Sequence, residues 1–150
     1  MGFVIDREVD VAAPAHVVWQ VITDLPAYGQ WNTFVPECRS TLRPGDPIEM
    51  QVRLGETLSS QVEWMTSFDE GSGFSYRMKP VPLGALWSAR AHRIEPLGDD
   101  RCRYHTHFEL NGWLAGLVRA LMRSKLEQGF SAMTRGIQQR AEQLRSAQRP

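Results

Sequence analysis

The last third of the chain carries one continuous helical pattern. Residues 112–144 read GWLAGLVRALMRSKLEQGFSAMTRGIQQRAEQL, with apolar side chains at steps of three, four and seven. Such spacing is typical of an amphipathic helix, and a length of about 30 residues is far above the usual mean of about 11–12. A hairpin cannot bury so long a helix, so we predict a broad, curved sheet around it. The predicted apolar stripe contains Leu114, Leu117, Val118, Leu121, Met122, Leu126, Phe130, Met133, Ile137 and Leu144.

The chain before this helix alternates between apolar and polar residues, which predicts strands. The turn at Gly55-Glu56 is a tight hairpin signal, and short turns between successive strands favour antiparallel pairing. Residues 80–84 contain two prolines and are predicted to form a loop, because proline lacks the ladder donor. The predicted strands cover residues 3–11, 47–54, 57–68, 73–79, 86–96 and 101–111.

Two short helical segments are predicted between the first strand and the next. Pro14 opens a helix, since proline is well tolerated at the first helical position. Residues 26–34 are compact and aromatic, which favours a short second helix or a turn. The predicted buried stripe of the first helix contains Val17, Val18, Val21 and Ile22.

Composition limits the possible partners. The 150 residues fit one domain, 1–150, and the 17 basic and 17 acidic side chains give a net charge of +0. No basic cluster offers a face for phosphates, so we expect no nucleic-acid partner. No run approaches the roughly 20 apolar residues that span a bilayer, so stable membrane insertion is not expected. The two cysteines are far apart, and no secretory signal is recognisable, so a cytoplasmic, reduced protein is the default.

Two motifs lie at the two ends of the chain. The first contains Ala13-Pro14, Val18-Trp19, Ile22-Thr23-Asp24, Tyr28 and Trp31-Asn32. The second contains residues 93–97 and Asn111-Gly112 before the long helix. Together they resemble the SRPBCC superfamily, which includes START lipid-binding domains, the Bet v 1 plant proteins and bacterial polyketide cyclase/dehydratase-like proteins.

The resemblance implies an α+β helix-grip fold, in which a seven-stranded curved antiparallel sheet surrounds the C-terminal helix and two short helices follow strand 1. It also implies a cavity between the sheet and the helix. Members of the superfamily bind lipids, sterols, polyketides or plant metabolites, and some catalyse cyclisation or dehydration in the cavity.

The residues predicted to face inward could fill a packed core or line a ligand pocket. The resemblance favours a pocket, and so does the content of Tyr, Trp and Met, which grip apolar ligands. The predicted lining residues are Met50, Val52, Val62, Trp64, Phe74, Tyr76, Met78, Arg90, His92, Tyr104, Thr106, Phe108, Leu117, Leu121, Met122, Phe130 and Met133.

Residues 86–96 contain Arg90, the one charged residue that is a candidate for binding a ligand in the cavity. If Ile94 points inward, alternation places Ser88, Arg90 and His92 on the same face. A buried, unpaired Arg is costly, so Arg90 should meet a carboxylate, a carbonyl or a ligand anion. Alternatively, this side chain lies near an open rim and reaches solvent. A slip of one residue would instead turn the Trp87 face inward.

Neither a metal nor a cofactor is expected. His105 and His107 share a face, but it is the polar face of the strand, with Arg103 and Glu109, and no third His or Cys is nearby. The chain contains no phosphate loop, dinucleotide fingerprint or nucleophile elbow.

Three functions remain open at this stage. The first is binding of a small hydrophobic or amphipathic molecule, such as a lipid, a polyketide or a similar metabolite. The second is a polyketide aromatase/cyclase or dehydratase that uses Arg90, Tyr76 and Tyr104 for acid–base work. The third is an interaction module that uses a sheet edge or residues 113–122, in a monomer or a homodimer. We favour the simpler interpretation of residues 113–122, that they cover the end of the cavity.

Overall fold

A computed structural model describes residues 2–148. All seven strands form one antiparallel sheet in the order β1-β7-β6-β5-β4-β3-β2, so the first and last strands of the chain are neighbours. The strands are β1 (Phe3–Val11), β2 (Glu37–Ser40), β3 (Pro47–Leu54), β4 (Thr57–Asp69), β5 (Gly73–Met78), β6 (Trp87–Pro96) and β7 (Cys102–Asn111). This is the predicted curved sheet around a C-terminal helix, and the predicted fold class is confirmed.

The helices are α1 (Ala15–Thr23) and α2 (Ala115–Gln148), with short 3-10 helices at Leu25–Gln30 and Pro82–Gly84. Pro14 caps α1, whose buried residues are the four predicted ones. The 3-10 helix at Leu25–Gln30 is the second helical segment expected from the aromatic run. None of the helices in residues 2–148 is long and apolar enough to cross a membrane.

The strand β2 was not predicted from the sequence. It contains only four residues, which is too few to show a clear alternation, and it is recognisable only through its pairing with β3. The strand β4 is longer than predicted and contains a bulge between Met65 and Ser67. The bulge affects the cavity because it sets which side chains of β4 face inward, whereas β2 forms the edge of the sheet beside β3.

The two halves of α2 pack differently. The C-terminal half is tied to β1, where Arg7 Nε donates to Ser131 Oγ at 3.0 Å and Gln138 Nε2 donates to the Asp10 carbonyl at 2.9 Å. Between Ala115 and Phe130, however, no residue of α2 is fully buried. The first half of the helix therefore does not pack closely against the sheet, and the cavity lies in the space between them.

Candidate functional site

A cavity of about 170 Å³ lies between the sheet and the first half of α2. Its deep end is formed by buried side chains, among them Tyr76, Arg90 and Phe130. Toward solvent the wall consists of partly exposed side chains such as Met122 and Leu126. The lining residues are Phe34, Val35, Met50, Val52, Leu54, Gln61, Glu63, Tyr76, Met78, Ser88, Arg90, Phe108, Leu110, Val118, Met122, Leu126 and Phe130.

The register of the sheet explains which side chains reach this cavity. Directly paired residues of antiparallel strands point to the same face of a sheet. Tyr76 of β5 pairs with Arg90 of β6, which pairs with Phe108 of β7, so these three form one row on the inner face. Arg90 is only 5% exposed and Trp87 is 39% exposed. The face that carries Arg90 and His92 therefore points inward.

Arg90 is buried among neutral groups. Its Nη1 donates to the Tyr76 hydroxyl at 3.1 Å and its Nε to Thr106 Oγ1 at 3.4 Å, while its Nη2 contacts Met133 Sδ at 3.1 Å. The guanidinium carbon lies 4.7 Å from the centroid of the Phe130 ring, a cation–π contact. None of the ion pairs formed by residues 2–148 involves Arg90. A buried cation without a carboxylate is unusual, because buried charges are normally paired.

Five predicted lining residues lie in the packed core beside the cavity instead of in its wall: Phe74, His92, Tyr104, Thr106 and Met133. His92 Nδ1 and the Tyr104 hydroxyl share a hydrogen bond of 2.5 Å. Burial, and then the charge of Arg90, holds the pKa of His92 well below its usual value, and burial raises the pKa of Tyr104. Both groups therefore stay neutral, and they form a buried hydrogen-bonded pair on the inner face near Arg90.

Two predicted lining residues of β4 lie on the outer face of the sheet. Val62 is 52% exposed and Trp64 is 41% exposed. The prediction assumed unbroken alternation from Leu58 to Phe68, but the bulge after Met65 adds one residue and reverses the faces. As a result, Phe68 pairs with buried Phe74 and lies on the inner face, whereas the even-numbered residues before the bulge point outward.

Two predicted lining residues of α2 are also exposed, Leu117 at 57% and Leu121 at 69%. The apolar surface of this helix is wider than the sheet that covers it. Val118 and Met122, one position further along, face the cavity. Successive helical residues are separated by about 100°, so the preceding positions turn toward solvent.

Glu63 and Gln61 line the cavity although neither was predicted there, whereas Ser88 lies on the inner face that alternation with Arg90 predicts. A signal for the first two was present in the hairpin at Gly55-Glu56. A tight turn there pairs Leu54 with Thr57, and counting back along the two strands pairs Ile48 with Glu63. Ile48 is buried, so its partner must share the inner face.

Among the described residues that line the cavity, Glu63 is the only acidic one. Burial raises the pKa of its carboxyl to about 7, against the opposing effect of the positive charge on Arg90. Burial also raises the pKa of Tyr76, so that phenol remains a hydrogen-bond donor at neutral pH. The cavity therefore combines an apolar wall, a fixed cation, a neutral hydroxyl and a carboxyl group that titrates near neutral pH.

The raised pKa of Glu63 predicts a pH-dependent stability. Between the unfolded value of 4.5 and about 7, the folded chain keeps a proton that the unfolded chain has lost. The free energy of unfolding should therefore fall as the pH rises through this window, by roughly 2 kcal/mol after allowance for partial exposure, and level off above it.

Urea unfolding of the wild type and of Glu63→Gln at successive pH values measures this effect. The difference between the two curves isolates Glu63 from His92, whose lowered pKa acts in the opposite direction. Two parallel curves would contradict the prediction.

The outer face of β7 carries the two histidines considered for a metal. His107 Nδ1 lies 2.7 Å and His105 Nε2 lies 3.2 Å from Asp6 Oδ1, on the polar side of the sheet. Over the described part of the chain, no group of three or more His, Cys, Asp or Glu side chains is arranged to hold a metal ion.

The sheet, the C-terminal helix and the cavity between them define a helix-grip protein of the START/Bet v 1 superfamily. The chain belongs to the polyketide cyclase/dehydrase and lipid transport family, whose model matches residues 3–142. No curated protein has a sequence that matches this chain.

Solved structures share the fold at low sequence identity. A START superfamily protein from Mycobacterium smegmatis has a TM-score of 0.74 and 17% identity, over 94% of this chain and 98% of the other. The Zhui aromatase/cyclase from a Streptomyces strain has a TM-score of 0.79 and 15% identity, over 95% and 94%. A norcoclaurine synthase from Thalictrum flavum, in complex with a transition-state analogue, has a TM-score of 0.72 and 18% identity, over 97% of both chains.

Proposed function

We propose that this chain binds a small apolar or amphipathic molecule in the cavity, with an oxygen-bearing end of that molecule on Arg90. The observation that carries the proposal is the buried guanidinium, which is surrounded by hydroxyl, sulfur and aromatic groups and forms none of the ion pairs of residues 2–148. A ligand carboxylate, enolate or carbonyl oxygen would supply the missing partner. The family description, which names polyketides and lipids, supports an apolar remainder.

The apolar wall suits such a ligand. Met50, Met78 and Met122 provide flexible thioether side chains that adapt to different shapes, and Phe108 and Phe130 provide flat surfaces. Arg90 at the deep end would orient the ligand with its oxygen inward, because the lining residues that the structure describes include no other cation. Pockets of this kind combine an apolar lining with a few polar groups that set orientation.

A second candidate function is catalysis on the bound molecule. Two proteins that share the fold are enzymes by name, an aromatase/cyclase and a norcoclaurine synthase. In this chain Arg90 and Tyr76 are adjacent donors that would stabilise negative charge on a substrate oxygen.

The binding proposal predicts a charge-dependent affinity. Titration calorimetry would compare γ-phenylbutyrate, which has a carboxylate, with phenylbutanol, which has the same ring and chain without the charge. Arg90→Met should weaken γ-phenylbutyrate binding by roughly 10- to 100-fold, since a hydrogen bond to a charged group contributes about 1.5–3 kcal/mol. Phenylbutanol should be affected much less.

Arg77→Met is the matched control. Arg77 adjoins Tyr76 on the same strand but is exposed, so its replacement should leave both affinities unchanged. Native mass spectrometry of the protein purified from its own host would complement the titration by showing a retained molecule. No retained molecule, together with no binding of either probe to the wild type, would refute the proposed function.

A further inference from the structure

The inner face of β4 presents a carboxylate that the fold does not use. Glu63 lies between Ile48 and Met78 in the sheet ladders, both on the inner face. None of the ion pairs among residues 2–148 includes it, and no hydrogen bond contributes to its pKa. An apolar side chain would suit this position better for stability, because a partly buried carboxylate without a partner is costly. Glu63 is therefore better explained by an action on a bound molecule than by a structural role.

The register places Glu63 and Arg90 on the same inner face of the sheet, and both side chains line the cavity. Arg90 lies two strands away, about 10 Å between backbones at the usual strand spacing, and one inward position deeper along the sheet. Its guanidinium contacts Tyr76, Thr106 and Met133, and its described hydrogen bonds do not include Glu63. The cation and the carboxyl group thus face the same cavity, and they form none of the ion pairs of residues 2–148.

We infer that Glu63 accepts a proton from the carbon next to a carbonyl group whose oxygen is bound by Arg90, so that the cavity acts on enolisable ketones. The inference rests on the proposed function, because it requires a ligand oxygen on Arg90. It adds to that function a proton acceptor, Glu63, which is not among the residues that the sequence predicts to take part in acid–base work.

The chemistry balances without an oxidant or a reductant. The bond between the α-carbon and its hydrogen breaks, and the proton moves to the Glu63 carboxylate. The electron pair of that bond forms a carbon–carbon double bond, and the carbonyl π pair moves to the oxygen as an enolate beside Arg90 and Tyr76. The reverse step returns a proton to carbon, and Glu63, which is partly exposed, exchanges its proton with water in between.

The environment of Glu63 suits this task. A general base works best when its pKa is near the working pH, and burial raises that of Glu63 to about 7. Negative charge that develops on the ketone oxygen would be stabilised by donors fixed before the reaction, which is the most effective arrangement for electrostatic catalysis.

Deuterium incorporation tests the inference directly. Benzylacetone is incubated with the protein in D₂O, and proton NMR follows the loss of its α-hydrogen signals. The wild type should exchange these hydrogens faster than buffer alone, with a rate that rises with pD as Glu63 ionises. Glu63→Gln should lower the saturating rate by about 100-fold or more, or to the buffer rate, because general acid–base catalysis contributes factors of this size. Its Kd for benzylacetone should change less than about threefold.

Two further variants keep the test specific. Glu49→Gln removes an exposed carboxylate on the outer face of β3, paired with Arg39 at 3.4 Å, and should leave the exchange rate unchanged. Glu63→Asp keeps the carboxylate and should retain part of the rate, which a purely structural role would not predict. Thermal unfolding of each variant establishes that it is folded.

The outcomes separate the inference from the proposed function. Benzylacetone that binds in an Arg90-dependent way but exchanges at the buffer rate, or equally fast in Glu63→Gln, would refute the role of Glu63 and leave the binding function intact. Failure of the wild type to bind benzylacetone would refute both for ketone ligands.

Discussion

Replacement of Arg90 by Met is expected to raise the free energy of unfolding of the ligand-free chain by about 1–4 kcal/mol. The guanidinium always carries its charge, and it is 5% exposed without a carboxylate partner in the described ion pairs. We expect the contacts with Tyr76, Thr106 and Phe130 to offset only part of the desolvation cost, because none of these groups carries a negative charge at neutral pH. Methionine fills similar space and adds contact with Met133 without a charge.

Urea unfolding at neutral pH measures this change. Arg77→Met, on the exposed side of β5, should alter stability by no more than about 0.5 kcal/mol. Combined with the loss of γ-phenylbutyrate binding, a gain in stability would show that Arg90 is retained for the ligand and not for the fold. A loss of more than about 1 kcal/mol in Arg90→Met would instead mean that its neutral contacts exceed the desolvation cost.

Replacement of Phe130 by Ala is expected to lower the free energy of unfolding by about 3–5 kcal/mol, the usual range for a buried aromatic residue. The Phe130 ring lies 5.0 Å from the Phe34 ring and 4.9 Å from the Phe108 ring, with the Arg90 guanidinium above it. Its neighbour Gly129 lets Phe34 approach α2, because a Cβ at that position would overlap the ring. Truncation therefore removes the central contact between helix, sheet and the loop before β2.

Leu121→Ala is the matched control for Phe130→Ala. Leu121 lies on the same helix and is also apolar, but it is exposed, so its truncation should change stability by only about 0.5 kcal/mol in urea unfolding. Comparable losses in the two variants would show that the first half of α2 packs against the sheet through the face that carries Leu121, contrary to the structure.

Much of the architecture follows from periodicity. The alternation from Phe3 to Val11 marks β1, and the long helical pattern marks α2, because a half-buried strand and an amphipathic helix each need their own repeat. The placement of Arg90 on the same strand face as Ile94 follows from their even spacing. The hairpin turn at Gly55-Glu56 also contained the register that places Glu63 inward, but the apolar residues Val62 and Trp64 suggested the opposite face.

Three features of the site depend on tertiary structure. The bulge after Met65 changes which residues of β4 face inward, and no local residue pattern predicts it. The exposure of Leu117 depends on how far the sheet extends under α2. The apolar stripe of this helix is wide, and the sequence does not predict which side of the stripe the sheet covers. The partners of Arg90 come from β5, β7 and α2, which are far apart in the chain.

The sequence by itself thus predicted the strands, the long helix and one cation, Arg90, on the same strand face as Ile94, because strand and helix repeats are local properties. The structure decided that this face, and not that of Trp87, points inward. Only the tertiary structure decided that this cation has no carboxylate beside it and that Glu63 shares its cavity. Pairing and burial depend on which distant strands become neighbours, and that is a property of the whole fold.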